Sequence, residues 1–170
     1  MNRVERGISL LGAVGIAMAA GCQGASTPPR ADWPAHRAAL EDTLRSFADT
    51  LLAAEGSLDP ARAARLNDDA EPAFTVVGQQ EYHMTQDSLR QGLAAAYAQL
   101  DSNVQVFDRI RARAFSPDLA TLVMHGRSRV YPKGGEVMRE RSTGTFVLVR
   151  RAAGWRIAQS HITSEPDSAP

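Results

Sequence analysis

From Trp33 to Ala54 the apolar residues Leu40, Leu44, Phe47 and Leu51 recur at spacings of 4, 3 and 4. That is one face of a helix, widened by Ala48 and Leu52, with Arg37, Glu41 and Arg45 elsewhere on the surface. Pro34 suits the first turn, and Gly56 is the expected stop. Asp59-Pro60 is a capping residue followed by a first-position proline, which predicts a second, short helix to about Leu66. Phe74–Gly78 reads as a short strand, Gln79-Gln80 as a turn and Glu81–Met84 as its return. Thr85 then caps a third helix with Asp87 in its first turn and Leu89, Leu93, Ala96, Tyr97 and Leu100 as the apolar stripe.

After Asp101-Ser102 the period changes from 3.6 to 2. In Asn103–Phe115 the even positions Val104, Val106, Asp108, Ile110, Ala112 and Ala114 share one face, and Arg109, Arg111 and Arg113 lie on the other. Ser116-Pro117-Asp118 is a turn. Leu119–Tyr131 alternates again, with Ala120, Leu122, Met124, Gly126 and Val130 opposite His125, Arg127, Arg129 and Tyr131. Pro132–Gly135 turns the chain into Val137–Arg150, and Gly154 lies in the turn before Trp155–Thr163. The order is helix, helix, short hairpin, helix and four long antiparallel strands. It predicts an α+β fold with helices on one face of a curved sheet.

The chain has 170 residues, one domain's worth, and its Lys+Arg and Asp+Glu counts are both 19. No global field argues for nucleic acid or an acidic surface, so nucleic-acid binding is set aside. The only cysteine, Cys22, rules out an internal disulfide and a thiolate metal site. Its setting is more telling. Arg3 and Arg6 precede an apolar run, Ile8–Ala20, too short for a comfortable membrane span, and Ala19, Ala20 and Gly21 lead into the thiol. This resembles a bacterial lipoprotein signal, although Ala19 stands where such signals usually carry Leu. The plainer alternative is a secretory signal with a chance cysteine.

The lipoprotein reading divides the chain into a signal peptide (1–21), a tether rich in small residues and proline (22–33), a folded domain (34–165) and a disordered tail (166–170). It implies acylation at Cys22 and membrane contact through that anchor alone. The implied location is the cell envelope, facing the periplasm. Gln23 after the cysteine resembles the signal for the outer membrane of a Gram-negative bacterium.

Three features carry a resemblance for the domain itself: the run Asp68-Asp69-Ala70-Glu71-Pro72-Ala73-Phe74 after a helix, the strand, hairpin and helix ending at Gln86–Leu100, and Phe146-Val147-Leu148-Val149-Arg150-Arg151 followed by Gly154-Trp155-Arg156-Ile157 and His161. Over about 35–165 the chain resembles the nuclear transport factor 2-like superfamily, in the SnoaL-like branch that shades into domains of unknown function. The resemblance implies a cone, with a strongly curved, mainly antiparallel sheet wrapped around the N-terminal helices and a pocket at the open end. Its members include ketosteroid isomerase, polyketide cyclases, dehydratases and non-catalytic modules, so the fold leaves function open.

Two residues are candidates for chemistry. Asp108 interrupts an apolar strand face, as a pocket carboxylate acting as general base would. The alternative is a bulge at Phe107-Asp108 that turns it outward. His161 occupies a position where relatives direct a polar side chain into the pocket, and an imidazole there could shuttle protons. The alternative is a hydrogen-bonded structural histidine. Tyr82, Tyr97, His125, Tyr131 and His161 are the expected ligand-pocket set. His36, His83, His125 and His161 lack metal-ligand spacing, so neither a metal nor a cofactor is expected. Arg109, Arg111, Arg113, Arg127 and Arg129 read as a solvated or dimer-facing strand surface, with Glu136 and Glu140 as counter-charges.

The leading functional expectation is a lipid-anchored, non-catalytic module that binds a small apolar or amphipathic ligand or another protein. The alternative is a cofactor-independent enzyme of the isomerase or cyclase kind using Asp108 and His161. A third reading is an interaction domain that forms a homodimer through the sheet. Convergence of Asp108 and His161 on one cavity separates these readings.

Overall fold

The computed structural model describes residues 32–70, 73–77 and 80–167. The expected signal peptide, Cys22, nearly all of the expected tether and the last three residues of the expected tail lie outside the described residues. So do residues 71–72 of the 68–74 run, and residues 78–79 at the end of the expected strand and the start of the expected Gln79-Gln80 turn. α1 (Trp33–Gly56) buries Leu40, Leu44, Phe47, Ala48, Leu51 and Ala54, the stripe expected from the periodicity. Its end falls at the expected stop. Gly56 is its last helical residue, Ser57 closes the turn through Oγ on Ala54 O (2.6 Å), and Leu58 takes the left-handed φ of 51°. α2 (Pro60–Ala64) begins where Asp59 Oδ1 accepts from the Ala61 and Arg62 N–H groups at 2.9 and 3.1 Å. α3 (Gln86–Tyr97) is capped by Thr85, whose Oγ1 accepts from Ser88 N–H at 3.1 Å, and stops three residues short of Leu100.

Six strands form one sheet: β1 (Ala73–Val77), β2 (Gln80–Met84), β3 (Leu100–Ser116), β4 (Leu119–Pro132), β5 (Met138–Arg151) and β6 (Gly154–Pro166), in the order β2-β1-β6-β5-β4-β3. All neighbours are antiparallel except β1 and β6, which run parallel with Val76 beside His161. That parallel pair lies beyond local sequence pattern, because only the path of the whole chain brings β1 to β6. The connector before β1 is held to β6 by Asp68 N–H to Ile157 O and Ile157 N–H to Leu66 O, both 2.8 Å. Arg151 completes the attachment with a two-pronged ion pair to the carboxylate of Asp68, which is 2% exposed. β6 continues through Pro166, and Asp167 N–H donates to Arg139 O, so of the expected tail Pro166 is part of the sheet and Asp167 is tied to β5.

The core lies between α1 and the sheet face built from Ala120, Leu122, Met124, Phe146, Leu148, Trp155 and Ile157. Two bulges decide which side chains join them. Phe107 pairs with Gly126 and Arg109 with His125, so Asp108 is the extra residue in β3. Leu148 pairs with Ile157 and Val147 with Gln159, so Ala158 is the extra residue in β6. An extra residue reverses the alternation of everything on one side of it and bends the strand.

Candidate functional site

Beside the core, a cavity of about 380 Å³ opens between the inner sheet face and the helices. Its register can be read row by row. Phe107, Gly126, Ser142 and Ser164 form one row, and Gln105, Ser128 and Glu140 form the next. On the core side of these rows, Phe146 and Ile162 contribute an apolar floor, with Leu51 from α1. Leu89 and Leu93 of α3 form the opposite wall, and Ala63 and Asn67 a further side. Two glycines shape the surface. A Cβ on Gly126 would lie 2.5 Å from the Phe107 ring, and one on Gly144 would lie 2.7 Å from the Phe146 ring. Both aromatic rings therefore rest over bare backbone and become cavity wall.

Several of the polar groups share one side. Glu55, on α1 one turn beyond Leu51, lines the cavity and accepts a hydrogen bond from Tyr97 Oη at 2.8 Å. Burial pushes the Glu55 carboxyl above its ordinary value, and the Tyr97 bond pulls partly back. Burial, with the carboxyl beside it, pushes the Tyr97 phenol up as well. Gly56 brings the start of β3 close, since its Cβ would sit 3.5 Å from Asn103 O. Asn103 also lines the cavity, and its Oδ1 is cut off from water with no hydrogen-bond partner. Glu55, Asn103, Gln105, Ser128 and Glu140 thus follow one another along one wall.

Most of the residues expected from sequence lie elsewhere. Asp108 sits on the bulge, exposed on the outer sheet face beside Arg109 and Arg127, as the bulge alternative anticipated. His161 is also exposed on the outer face. Counted from Trp155 and Ile157 it should point inward, but the extra residue Ala158 turns Ser160 inward and His161 out. The two candidates for acid–base chemistry therefore do not meet in the cavity. His125 is on the outer face with Nδ1 3.0 Å from Thr143 Oγ1, and Tyr131 follows it in the same alternation. Tyr82 is exposed on β2, bonded to Gln80. Of the pocket set only Tyr97 approaches the cavity, through Glu55. Among the described residues no group of three potential metal ligands occurs.

The bulge at Asp108 also turns Val104 and Val106 outward, where they are 49% and 61% exposed, and brings Asn103, Gln105 and Phe107 inside. Glu140, read as a counter-charge for the arginine face, lies instead on the inner side. Arg141 takes Glu165 and Asp167 as partners, at 3.4 and 3.6 Å. Two of the residues missed in sequence had visible signals. Glu55 continues the α1 stripe four residues after Leu51, and Glu140 shares the parity of Phe146 and Leu148.

A bent sheet of this order around a long first helix, with a cavity between them, has clear counterparts among solved structures. A nuclear transport factor 2-like superfamily protein from Salmonella enterica serovar Typhimurium superposes with a TM-score of 0.67, over 78% of this chain and 95% of that one, at 9% identity. The chain has the nuclear transport factor 2-like fold. LinA superposes with a TM-score of 0.63 at 15% identity, covering 82% of this chain and 95% of its own. A candidate scytalone dehydratase from Novosphingobium aromaticivorans gives 0.62 at 10% identity, over 75% and 89%. No family model matches the chain, and no curated protein matches its sequence. At such identities the nuclear transport factor 2-like fold is what is shared.

Proposed function

We propose that this protein is a non-catalytic small-molecule-binding module of the bacterial cell envelope, tethered through a lipid on Cys22 at the periplasmic face of the outer membrane. The observation that carries the binding reading is the cavity, apolar on its floor and helical wall and polar along one side. Sites for small ligands have this composition, and about 380 Å³ falls at the small end of their range. A ring or short chain with one polar end fits that description. The acid–base reading built on Asp108 and His161 draws no support from two side chains on the far face of the sheet.

Native mass spectrometry of protein extracted from membranes, together with thermal-shift screening of small amphiphiles, tests the binding reading. Binding is expected for the wild type, Asp108→Asn and His161→Ala alike, and is lost in Leu93→Trp, which fills the cavity from α3. A folded Leu93→Trp variant that binds as the wild type does would sink it. The anchor is tested separately by metabolic labelling with a palmitate analogue, which should mark the wild type and not Cys22→Ala.

A further inference from the structure

The cavity lining, among the described residues, contains two carboxylates, Glu55 and Glu140, and no lysine, arginine or histidine. This is unusual beside the rest of the sheet. The outer face carries Arg109, Arg111, Arg113, Arg127, Arg129, Arg139 and Arg141 against Asp108, Glu165 and Asp167. The two faces therefore have opposite electrostatic character, although the whole chain is neutral. Glu140 lies between Arg139 and Arg141 in sequence, but strand alternation sends both guanidinium groups to the other side.

A second, independent observation concerns hydrogen bonding. Asn103 Oδ1 is buried and unpartnered, and it belongs to the same wall. A buried acceptor left without a donor is destabilising, and one supplied from outside removes that penalty. The wall further offers Gln105 and Ser128 between Asn103 and Glu140. It is rich in acceptors and has no charged donor. Around it, Phe107, Phe146, Leu51, Leu89, Leu93 and Ile162 provide an apolar surface.

We propose that the ligand of this cavity is a small organic amine, its ammonium group held along the Glu55–Asn103–Glu140 wall and its hydrocarbon body against the aromatic and leucine side. This rests on the pocket reading above and adds the head group. An ammonium brings up to three donors and a positive charge to a wall rich in acceptors and without a cation of its own. An anion would meet two carboxylates without a compensating cation and is selected against. A metal ion is a poorer match, since no set of three ligating side chains converges among the described residues.

The test uses calorimetric titration of the purified protein with matched trios of amine, alcohol and carboxylate on benzyl, phenethyl, cyclohexylmethyl and hexyl bodies. Within each body the amine should bind at least about tenfold more tightly than the alcohol, and the carboxylate most weakly. Glu140→Gln and Glu55→Gln should each reduce amine binding by about tenfold and leave alcohol binding within about twofold. Carboxylates that match the amines, or an amine preference that survives both glutamine variants, would overturn the head-group proposal while leaving a binding cavity in place. Binding by no member of any trio, or equal binding by Leu93→Trp, would instead remove the pocket reading and this proposal together.

Discussion

Tyr97 Oη donates a 2.8 Å hydrogen bond to Glu55 Oε2 across 42 residues of sequence, joining the end of α3 to the end of α1 beside the cavity. Because burial raises the Glu55 carboxyl from 4.5, the folded state holds that proton more firmly than the unfolded chain does. The contribution of Glu55 to stability is greatest below its unfolded value and is lost as pH rises through the raised folded value. Glu55→Gln should therefore gain stability relative to wild type across that window, measured by urea unfolding at a series of pH values. Tyr97→Phe should cost about 1 kcal/mol and move the window upward, since it removes the bond that lowers the Glu55 value. Parallel pH profiles for wild type and Glu55→Gln would contradict this assignment.

Asp68 has the opposite sign. Arg151 holds its carboxyl below the ordinary 3.8, so the pair stabilises the fold fully above that value and loses its effect as pH falls through the lowered one. Asp68→Asn should destabilise by about 1.5–3 kcal/mol at neutral pH, toward the lower figure because Arg151 is 42% exposed. The difference from wild type should shrink in acid. A difference that persists undiminished well below the carboxylate range would assign the loss to packing.

Gly126 and Gly92 should respond to alanine in opposite directions. At Gly126 the new Cβ would meet Val106 O at 2.4 Å and the Phe107 ring at 2.5 Å, and the backbone atom cannot step aside. Overpacking of this kind costs about 1–3 kcal/mol, with the upper end expected here. Gly92 lies inside α3 with nothing within 4 Å of the added atom, so alanine should stabilise by up to about 1 kcal/mol. Chemical denaturation of the two variants checks both signs at once.

On the outer face, Arg127 is directly opposite Arg141, and Arg129 directly opposite Arg139. Like charges in that position repel. Arg141 has acidic partners, so the Arg129–Arg139 pair is the better test. Arg129→Glu should raise stability by about 0.2–1 kcal/mol at low salt, and the gain should fade near about 1 M salt. A gain independent of salt would point to shape rather than charge.

Much of the chain follows from local pattern. The α1 stripe, the Asp59 and Thr85 caps and the four alternating strands are each written within a few residues of sequence, and the structure has them close to where the periodicity puts them. The arrangement of the site is not local. One extra residue at Asp108 and one at Ala158 reverse the alternation that strands otherwise obey, exchanging Asn103, Gln105 and Ser160 for Asp108 and His161 as inward groups. Glu55 and Glu140 carried signals in helical spacing and strand parity, but each gains meaning only from what faces it. Periodicity specified the elements because burial acts on each face separately. Tertiary pairing chose the site, because a bulge, the parallel β1–β6 contact and the Tyr97–Glu55 bond depend on residues distant in the chain.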